Sequence, residues 1–487
     1  MRRFFWLLLL MLALQVPLSA VSVPEIRKSL VRISTTSQNP NYRVPWIPGS
    51  LSSGTGAGFV IEGKRVLTNA HVVSNARFLS LERENDPKRY IAKVQSIAHD
   101  CDLAVLTVDD PSFFEGTRPL PFEKEIPQIE SSVSVYGYPI GGRRLSVTTG
   151  VISRIDFQTY SHSALDSHLA IQTNAAINPG NSGGPVLQNG KVVGVAFQGY
   201  SGDVAQNTGY MIPVPVVERF LKDIEDGKYD HYMDISIQTF PLLNPAQRRS
   251  LGLPDDNVGI LVSSVSSIGA SAGILEEGDV LLKVDGHTIE SDGFITLNGE
   301  RIEMPEIVER KLKGDSVTFE IWRKKEKKQV SVTFKERWPF QLQANQYDIK
   351  PRYVLFGGLL FQPLSRDFVQ AYQTSDLRCR YLFDFYVNDN IFEKHPEVIV
   401  LSAILPDPIN TYLNDFRDGV VEEVNGAKIR TLDDLAAAFA KESDDYVIKL
   451  LGEGRPIVLE RAAIESARER IKSRYNVTAE ANLSESL

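Results

Sequence analysis

Short apolar runs broken by glycine, proline, asparagine and serine dominate the chain from about residue 31 to residue 217. Runs of this length with frequent turns are typical of strands in an all-β barrel or sandwich. Clear examples are GAGFVIE (56–62), RVLTNAHVV (65–73), DLAVLTV (102–108), SVSVYGYPI (132–140) and KVVGVAFQGY (191–200). At PVPVVERFLKDIED (213–226) the apolar residues follow a helical period instead, so we predict a helix that closes this β region.

Beyond a short polar segment, GKYDHY (227–232), which we interpret as a linker, the sequence repeats itself weakly. VDGHTI (284–289) matches VNGAKI (424–429) at an offset of 140 residues. Each copy predicts a strand, a tight Asx-Gly turn and a second strand. Because such hairpins occur in many folds, the repeat alone is modest evidence for two related units. The residues after Ala462 are polar, and we expect them to begin as a helix and then fray.

The first twenty residues, MRRFFWLLLLMLALQVPLSA, have the pattern of a cleavable secretory signal. Two arginines precede an unbroken apolar run from Phe4 to Leu14, and a small residue, Ala20, ends the segment. Eleven apolar residues are too few to cross a hydrocarbon core, which needs roughly 20. An uncleaved membrane anchor is the alternative interpretation. We therefore expect an exported, soluble protein with at most proximity to a membrane, located in the periplasm if the source is a Gram-negative bacterium.

Composition and charge exclude several classes of protein. The 487 residues contain 43% apolar and 23% charged residues, which is an ordinary globular mixture and excludes a disordered chain or a rod. The net charge of −8 and the lack of a basic block disfavour a nucleic-acid binder. We find no ligand spacing for a metal and expect no cofactor. The two cysteines, Cys101 and Cys379, fall in different predicted domains, so we expect them to be unpaired.

The strongest chemical signal is the glycine-rich segment TNAAINPGNSGGPV (173–186), in which three glycines surround Ser182. A serine nucleophile needs a tight turn that a substrate carbonyl can approach, and glycine permits the backbone angles of such a turn. The backbone N–H groups of Gly180 and Ser182 are the candidate oxyanion hole, which stabilises charge on the attacked carbonyl. A surface loop without chemistry is the alternative, since the same residue types favour turns.

A serine hydroxyl needs a base, and a histidine base needs an acceptor that holds it in one tautomer. His71 directly follows a predicted strand, and Asp102 begins the apolar strand DLAVLTV, where a buried carboxylate requires a partner. His99 is the rival base and Asp100 the rival acid. The order His71, Asp102, Ser182 is that of chymotrypsin-like enzymes and differs from the order in subtilisins and α/β-hydrolases.

These segments resemble the Deg/HtrA family of trypsin-like serine proteases. TNAHVV (68–73), DLAVL (102–106) and GNSGGPV (180–186) are similar to its catalytic blocks, and SSGTGAGFVI (52–61) to its glycine-rich entry strand. The resemblance implies a mainly β chain, in which a chymotrypsin-like double β-barrel protease domain precedes two PDZ-like α+β domains. It also implies ATP-independent cleavage of unfolded or misfolded proteins in stress-related quality control, and a homo-oligomer built from trimers.

The C-terminal half resembles PDZ domains, which bind peptide segments by strand addition. GDVLLKVDG (278–286) is similar to central strands of the first domain, and Tyr232-Met233-Asp234-Ile235 matches its peptide-carboxylate loop. Asp234 stands where the family has glycine, which puts ordinary capture of a C-terminus in doubt. In the second, more distant domain, Phe356-Gly357-Gly358-Leu359 is the candidate loop, and the aromatic stretch RCRYLFDFYV (378–387) suits an interface.

We therefore divide the chain into a signal peptide (1–20), a trypsin-like protease domain (21–228), a PDZ domain (229–337), a divergent PDZ-like domain (338–462) and a polar tail (463–487). The family resemblance places the specificity pocket at Ala176, with walls from the Val195-Ala196-Phe197 strand and the Thr208-Gly209-Tyr210 segment. No acid is available there for a substrate Lys or Arg, so we expect cleavage after small aliphatic residues.

Two further functions compete with an exported serine endopeptidase. One is a chaperone or peptide-binding sensor on a protease fold with little cleavage. The other is a scaffold whose PDZ-like units recruit partners. Cleavage that depends on Ser182 would distinguish the serine endopeptidase from both the chaperone and the scaffold.

Overall fold

The computed structural model describes residues 23–139, 142, 144–199, 208–335 and 342–484. The predicted signal peptide at 1–20 lies outside the described residues. Among the residues that the structure describes, no helix combines the length and the apolar character that crossing a bilayer requires.

The N-terminal half forms two closed β-barrels of six strands each within the described residues, as the family resemblance implies. The first barrel has the strand order β1-β2-β3-β6-β5-β4 and the second β10-β11-β12-β9-β8-β7. The strands of the first are β1 (Leu30–Gln38), β2 (Leu51–Ile61), β3 (Arg65–Thr68), β4 (Ala76–Arg83), β5 (Arg89–Ala98) and β6 (Leu103–Val108). Those of the second are β7 (Ser132–Gly137), β8 (Ser146–Thr159), β9 (Ser167–Thr173), β10 (Pro185–Gln188), β11 (Lys191–Gly199) and β12 (Gly209–Pro213).

Three helices accompany the barrels: α1 (Val23–Lys28), α2 (Ala70–Val73) and α3 (Val214–Asp223). Proline in the first turn starts α3, and a 3₁₀ turn extends it to Asp226, which confirms the predicted closing helix. Its apolar face joins a core cluster that both barrels share, which includes Phe59, Leu169 and Phe220. The two barrels and the helix therefore pack as one body around their common interface.

The middle unit is a sheet of order β13-β14-β15-β19-β20, with β16 paired to β15 and a separate hairpin of β17 and β18. Its elements are β13 (Ile237–Phe240), α4 (Pro245–Leu251), β14 (Ile260–Val265), β15 (Val280–Val284), β16 (His287–Thr288), β17 (Phe294–Leu297), β18 (Glu300–Glu303), α5 (Pro305–Glu309), β19 (Ser316–Arg323) and β20 (Glu326–Thr333). The segment 227–232 is not a loose linker, because the Tyr229 hydroxyl donates to the buried Asp100 carboxylate at 2.6 Å.

The third unit contains two four-stranded sheets, β23-β22-β21-β28 and β25-β24-β26-β27. Its elements are β21 (Tyr353–Phe356), β22 (Leu359–Pro363), α6 (Arg366–Tyr372), α7 (Leu377–Asp384), β23 (Ile399–Ile404), β24 (Val421–Val424), β25 (Ala427–Lys428), α8 (Leu432–Ala440), β26 (Asp445–Leu450), β27 (Ile457–Glu460), α9 (Arg461–Arg474) and β28 (Ala481–Asn482).

The weak internal repeat corresponds to equivalent hairpins in the two C-terminal units. Asp285-Gly286 turns β15 into β16, and Asn425-Gly426 turns β24 into β25, each with both residues at positive φ. Positive φ at both central positions is what a two-residue hairpin of this twist requires, and Asx-Gly supplies it at low cost. The 140-residue offset therefore reflects a shared strand-turn-strand element.

The C-terminal boundary differs from the prediction of a polar tail beginning at residue 463. Helix α9 buries Ile464, Ala467 and Ile471, and β28 pairs with β21 through Tyr353 and Asn482. The apolar residues of this segment are few but recur at helical spacing, and they find a partner surface only in the folded unit. The residues up to 484 thus belong to the third unit.

Candidate active site

His71 lies on the single helical turn α2 (Ala70–Val73), whose Val73 packs into the core of the first barrel. Asn69, immediately before this turn, is completely buried, and its side-chain amide donates to the main-chain oxygen of Asp102 at 2.9 Å. Ser74 closes the turn, since its N–H and its hydroxyl both donate to the carbonyl of the first residue, at 2.8 and 2.7 Å. These contacts fix the backbone on both sides of the histidine.

His71 and Asp102 form a close pair. The Nδ1 atom of His71 lies 2.7 Å from Oδ2 of Asp102, and the backbone N–H of His71 donates to Oδ1 at 2.8 Å. Asp102 is buried and has a left-handed backbone, with φ of 53°, which is uncommon for residues other than glycine. The carboxylate holds the Nδ1–H tautomer, so that Nε2 of the imidazole is left to accept a proton.

The two members of this pair shift each other's pKa in opposite directions. Burial alone raises the pKa of Asp102, but the facing His71 and the hydrogen bonds from it lower the pKa overall. Desolvation lowers the pKa of His71, but the charge of Asp102 and its hydrogen bond outweigh this and raise it above the usual 6.5. The imidazole is thus a stronger base than a solvated histidine.

The loop around Ser182 requires glycine at several positions. Gly180 and Gly183 have φ of 101° and 83°, in the region that disfavours other residues. A Cβ on Gly180 would lie 2.2 Å from the carbonyl oxygen of Tyr138, and one on Gly183 would lie 2.2 Å from that of Ala57. The glycines predicted from the sequence therefore allow the loop to press against both neighbouring strands.

This loop bridges the two barrels next to the histidine turn. The carbonyl of Ser182 accepts from the N–H of Ala57 on β2 at 2.8 Å, while the N–H of Gly183 donates to Ala196 on β11 at 2.9 Å. A Cβ on Gly183 would also lie 2.2 Å from the hydroxyl oxygen of Thr68, three residues before His71. The structure thus brings the backbone of Ser182 to the same junction as the His71–Asp102 pair.

The backbone geometry leaves two N–H groups of the loop available. The carbonyl of Gly180 accepts from Tyr138 at 3.0 Å, which fixes the peptide orientation, and Asn181 donates to Asn178 at 2.9 Å. Within the described residues, the N–H groups of Gly180 and Ser182 donate to no protein acceptor. These are the two amides named from the sequence as the oxyanion hole.

The Ser182 hydroxyl is not hydrogen bonded to His71 in this structure. Its Oγ donates to the carbonyl of Phe197 at 3.4 Å, and within the described chain the hydrogen bonds of the His71 ring go to Asp102. Catalytic hydrogen bonds of this kind are often open in unliganded enzymes and close with substrate.

Ile177, which the sequence reasoning did not name, lies at the predicted specificity pocket. A Cβ on Gly209 would lie 2.8 Å from the Ile177 side chain, so Gly209 provides the space that Ile177 occupies. Ala176, beside it, is half-buried, and its carbonyl accepts from Thr148 at 2.9 Å. Ile177 follows Ala176 directly, and its apolar side chain next to the glycine-rich loop is the signal that could have identified it.

The predicted pocket strand divides into two faces. Ala196 packs with Ile177 on one face, whereas Val195 and Phe197 belong to the core cluster between the barrels. Successive side chains of a strand point to opposite sides, so the three residues cannot all face one pocket. Val195 and Phe197 are therefore core residues here, and Thr208 is half-buried at the start of β12.

The rival base and acid have other partners. His99 lies 3.0 Å from His162 through their ring nitrogens, and Asp100 binds Tyr229 and the ring of His231 at 2.6 and 3.3 Å. The sequence alone does not single out His162. Its ring centroid lies 6.2 Å from that of His71, and burial lowers its pKa to about 4, so it is a neutral neighbour of the pair.

Comparison with protein families identifies both ends of the chain. Residues 56–195 match the family described as a trypsin-like peptidase domain, and residues 342–484 match the family described as a PDZ domain. The second match covers the segment from 463 to 484 as well, in agreement with the packing of α9 and β28.

Curated relatives match most of the chain. The chain is 34% identical to Protease Do-like 2, chloroplastic, of Arabidopsis thaliana, over 93% of this chain and 74% of that protein. It is also 34% identical to Putative protease Do-like 13 of the same plant, over 94% of this chain and 90% of that protein. A solved structure, the HtrA-type protease AlgW with tripeptide, matches in fold with a TM-score of 0.52 at 24% identity, covering 66% of this chain and 99% of that one.

Proposed function

The chain belongs to the Deg/HtrA family of serine proteases and is a serine endopeptidase, and we propose that it degrades unfolded or misfolded proteins without ATP in an exported compartment. The observation that carries the proposal is the 2.7 Å contact between His71 and the buried Asp102, next to the loop of Ser182. Other buried carboxylate–histidine pairs occur in the chain, but this one lies beside the loop that carries a serine on a glycine-rich turn.

The proposed mechanism is acyl transfer to Ser182. The serine Oγ attacks the substrate carbonyl while Nε2 of His71 takes its proton, and Asp102 stabilises the resulting imidazolium. The N–H groups of Gly180 and Ser182 donate to the oxyanion, which is worth roughly 3–4 kcal/mol of barrier per donor. His71 then returns the proton to the leaving amine, and water hydrolyses the acyl-enzyme with His71 again as the base.

The test compares wild-type protein with Ser182→Ala on unfolded casein without nucleotide, with diisopropyl fluorophosphate labelling in parallel. We expect the wild type to cleave casein and to be labelled at Ser182, and the variant to do neither. A stably folded protein of about the same size as casein serves as the control for the folding state of the substrate. It should be cleaved far more slowly than casein. Cleavage that survives Ser182→Ala would show that the triad assignment is wrong.

The apolar pocket supports cleavage after small aliphatic residues. Ala176 supplies no charge, and Ile177 fills the space over Gly209, which leaves little room for a long side chain. Mass spectrometry of casein fragments should show alanine, valine or similar residues before the cut bond. Predominant cleavage after Lys or Arg would contradict this specificity.

A chaperone or peptide sensor with little cleavage is the second candidate. It is favoured by one observation, the Ser182 hydroxyl that donates to Phe197 instead of His71. Under this alternative, Ser182→Ala and the wild type suppress casein aggregation equally, and diisopropyl fluorophosphate labels neither.

We further propose that the PDZ units bind peptide segments of substrates, and that trimers build the functional homo-oligomer. The solved relatives include HtrA-type proteases with a tripeptide and a decapeptide, which supports peptide binding by this architecture. Light scattering with and without unfolded casein should give masses that are multiples of three chains. A monomer under both conditions would refute the assembly.

Export is the last part of the proposal. The leader MRRFFWLLLLMLALQVPLSA supports it. The plant relatives carry the descriptions chloroplastic and mitochondrial, so organellar import is the competing route. N-terminal sequencing of the mature protein should begin at Val21. An intact N-terminus in the fraction that cleaves casein would contradict removal of this leader.

A further inference from the structure

A segment that enters the third unit lies against the back of the His71–Asp102 pair. Its Asn345 donates from its backbone to Ser163 at 2.8 Å and from its side chain to the carbonyl of His162 at 2.9 Å. Tyr347 stacks on the His162 ring at 4.1 Å between centroids, and its hydroxyl donates to the same carbonyl. Residues 345–348 therefore form a strap across the protease domain, and we use that name for them below.

Asp348, at the end of the strap, contacts both loops that carry the pair. Its Oδ1 accepts from the backbone N–H of Asn75 at 2.6 Å, and its Oδ2 lies 3.1 Å from Nε2 of His99. Asn75 lies four residues after His71, and His99 lies three residues before Asp102. One carboxylate thus ties together the backbone segments on which the base and its acidic partner stand.

The contact with Asn75 is reciprocal. The side-chain oxygen of Asn75 accepts from the backbone N–H of Asp348 at 2.7 Å, so two charge-assisted or amide hydrogen bonds join the same two residues. Both residues have positive φ, 54° and 59°, a backbone that aspartate and asparagine tolerate better than most. The two hydrogen bonds between Asn75 and Asp348 therefore fix the end of the strap relative to the segment that follows His71.

From Asp348 a chain of hydrogen-bonding groups leads back to the turn of His71. When His99 donates from Nε2 to Asp348, a neutral ring leaves Nδ1 to accept from His162, whose Nε2 lies 3.0 Å away. The same Nε2 lies 3.5 Å from the Ser74 hydroxyl, which donates to Ala70 at the start of the turn. The carboxylate therefore orders the His162 ring that faces His71.

The strap is held in place by a second connection between the same two units. The loop between β1 and β2 inserts Trp46 into a cluster with Tyr353, Leu355, Leu360 and Val477 of the third unit. The indole N–H of Trp46 donates to the carbonyl of Tyr475 at 3.2 Å, and Arg43 donates to Ala371 at 2.7 Å. The buried Trp46 insertion therefore fixes the third unit against the protease domain at a second place and sets the approach of Asp348.

We propose that Asp348 is a positioning residue for catalysis, through which the C-terminal PDZ unit holds the His71–Asp102 pair of its own chain in the reactive arrangement. The inference rests on the proposed triad. Asp348 touches neither substrate nor reacting atoms, and it acts through Asn75 and His99. Small displacements of a catalytic group cost large factors in rate, roughly 10²-fold for 1 Å, so loss of the carboxylate should affect turnover more than substrate binding.

The experiment measures kcat and KM of the full-length chain on a chromogenic peptide with alanine before the cut bond. Asp348→Ala removes both arms of the carboxylate, and we expect kcat to fall about tenfold or more with KM within about twofold. Asp348→Asn keeps an oxygen for Asn75 but faces His99 with a donor group, and its kcat should fall by an intermediate factor. The melting temperature of each variant reports whether it folds. If Asp348→Ala does not fold, the kcat of Asp348→Asn tests the proposal instead.

Two control variants separate positioning from general effects. Asp433→Asn removes an exposed acid of the same unit that pairs with Arg352, and its kcat should be unchanged. Arg43→Ala removes a contact between the two units away from the pair, and its kcat should change less than twofold. Equal kcat for wild type and Asp348→Ala, or an equal loss in Arg43→Ala, overturns the role of Asp348. A wild type that neither cleaves nor reacts with diisopropyl fluorophosphate refutes the proposed function itself.

Discussion

At the scale of single residues, the charge of Asp102 decides when His71 is available as a base. The carboxylate lies 2.7 Å from the imidazole and raises its pKa above 6.5. A base works in its neutral form, so the raised pKa moves the loss of activity in acid to a higher pH than an ordinary histidine would give.

We therefore expect kcat/KM to rise with pH through a midpoint above 6.5 and then to level. The profile between pH 5 and 9, measured on a chromogenic peptide, checks this. Asp433→Asn, which changes the same charge far from the pair, should leave the midpoint in place, while Asp102→Asn should lower kcat by about 10⁴. A midpoint below 6.5 would mean that desolvation, not Asp102, dominates the pKa of His71.

The sequence named His71, Asp102 and Ser182 because each stands in a short motif whose residue types suit its chemistry. It did not name His162 or Asp348 as partners of the site. Asp348 contacts Asn75 across 273 residues of chain, and nothing local marks an aspartate that will be used in this way. Ile177 could have been predicted from the sequence, because it stands beside the glycine-rich loop.

At the scale of elements, helix α5 connects the middle unit to the protease domain. Its last residue, Glu309, lies 2.8 Å from the buried ring of His168 on β9, and its carbonyl accepts from Arg219 on α3 at 3.1 Å. Burial opposes protonation of His168, but the Glu309 charge and hydrogen bond outweigh it and raise its pKa to about 9. The docking of α5 thus depends on a charged histidine.

A histidine whose pKa rises on folding stabilises the folded state below its unfolded pKa, here 6.5. That stability is lost as pH rises through about 9, and the change corresponds to roughly 3 kcal/mol. We expect Glu309→Gln to lower the melting temperature clearly at pH 6 and little at pH 9.5, as calorimetry can measure. Lys311→Gln is the control, because it removes a charge in the same region without changing the pair of Glu309 and His168. An equal difference at both pH values would contradict the ion pair.

The loop of the middle unit that matches a peptide-carboxylate site carries an acid of its own. The exposed Asp234 accepts the backbone N–H of Ser236, which holds its carboxylate at this loop, where its negative charge would oppose a peptide carboxylate. We expect peptides with free and with amidated C-termini to bind the Ser182→Ala protein equally, by calorimetry. Asp234→Gly should restore a preference for the free carboxylate, and Asp255→Gly should not. A strong preference in the parent would show that the loop captures C-termini after all.

The pattern of the sequence predicted most strands and the closing helix, because alternation and helical period are local properties. Closure of the barrels came only from the family resemblance, since pairing between β1 and β4 is not encoded locally. The segment after residue 462 begins as the predicted helix, but its packing in the third unit was not predicted, because its buried positions, such as Ala467, are small and sparse. The aromatic stretch 378–387 divides in the structure: Leu382 and Tyr386 are buried, and Tyr381 and Phe385 remain exposed, so its role as an interface stays a prediction.

At the scale of the whole molecule, the third unit is joined to the first by side chains hundreds of residues apart. Domain division from the sequence treats each unit as separate, because composition and repeats report only what each unit buries by itself. The insertion of Trp46 among Tyr353 and Leu360 means that the protease domain completes a core of the PDZ unit. The sequence around Trp46 is typical of an ordinary loop and that around Tyr353 and Leu360 of ordinary strands, so neither predicts this contact.

This shared core predicts that the first and third units unfold together. Trp46→Ala removes a buried indole at a cost of about 3–5 kcal/mol, and should uncouple the units, so that calorimetry shows two transitions where the parent shows one. Limited proteolysis should then cut the variant within residues 39–49 sooner than the parent. Arg43→Ala, which loses an exposed hydrogen bond and a distant contact with the Tyr372 ring, should behave like the parent. One cooperative transition in Trp46→Ala at an unchanged temperature would mean that this core does not couple the units, because the remaining contacts between them, among them those of Asp348, Asn345 and Tyr372, would then be sufficient.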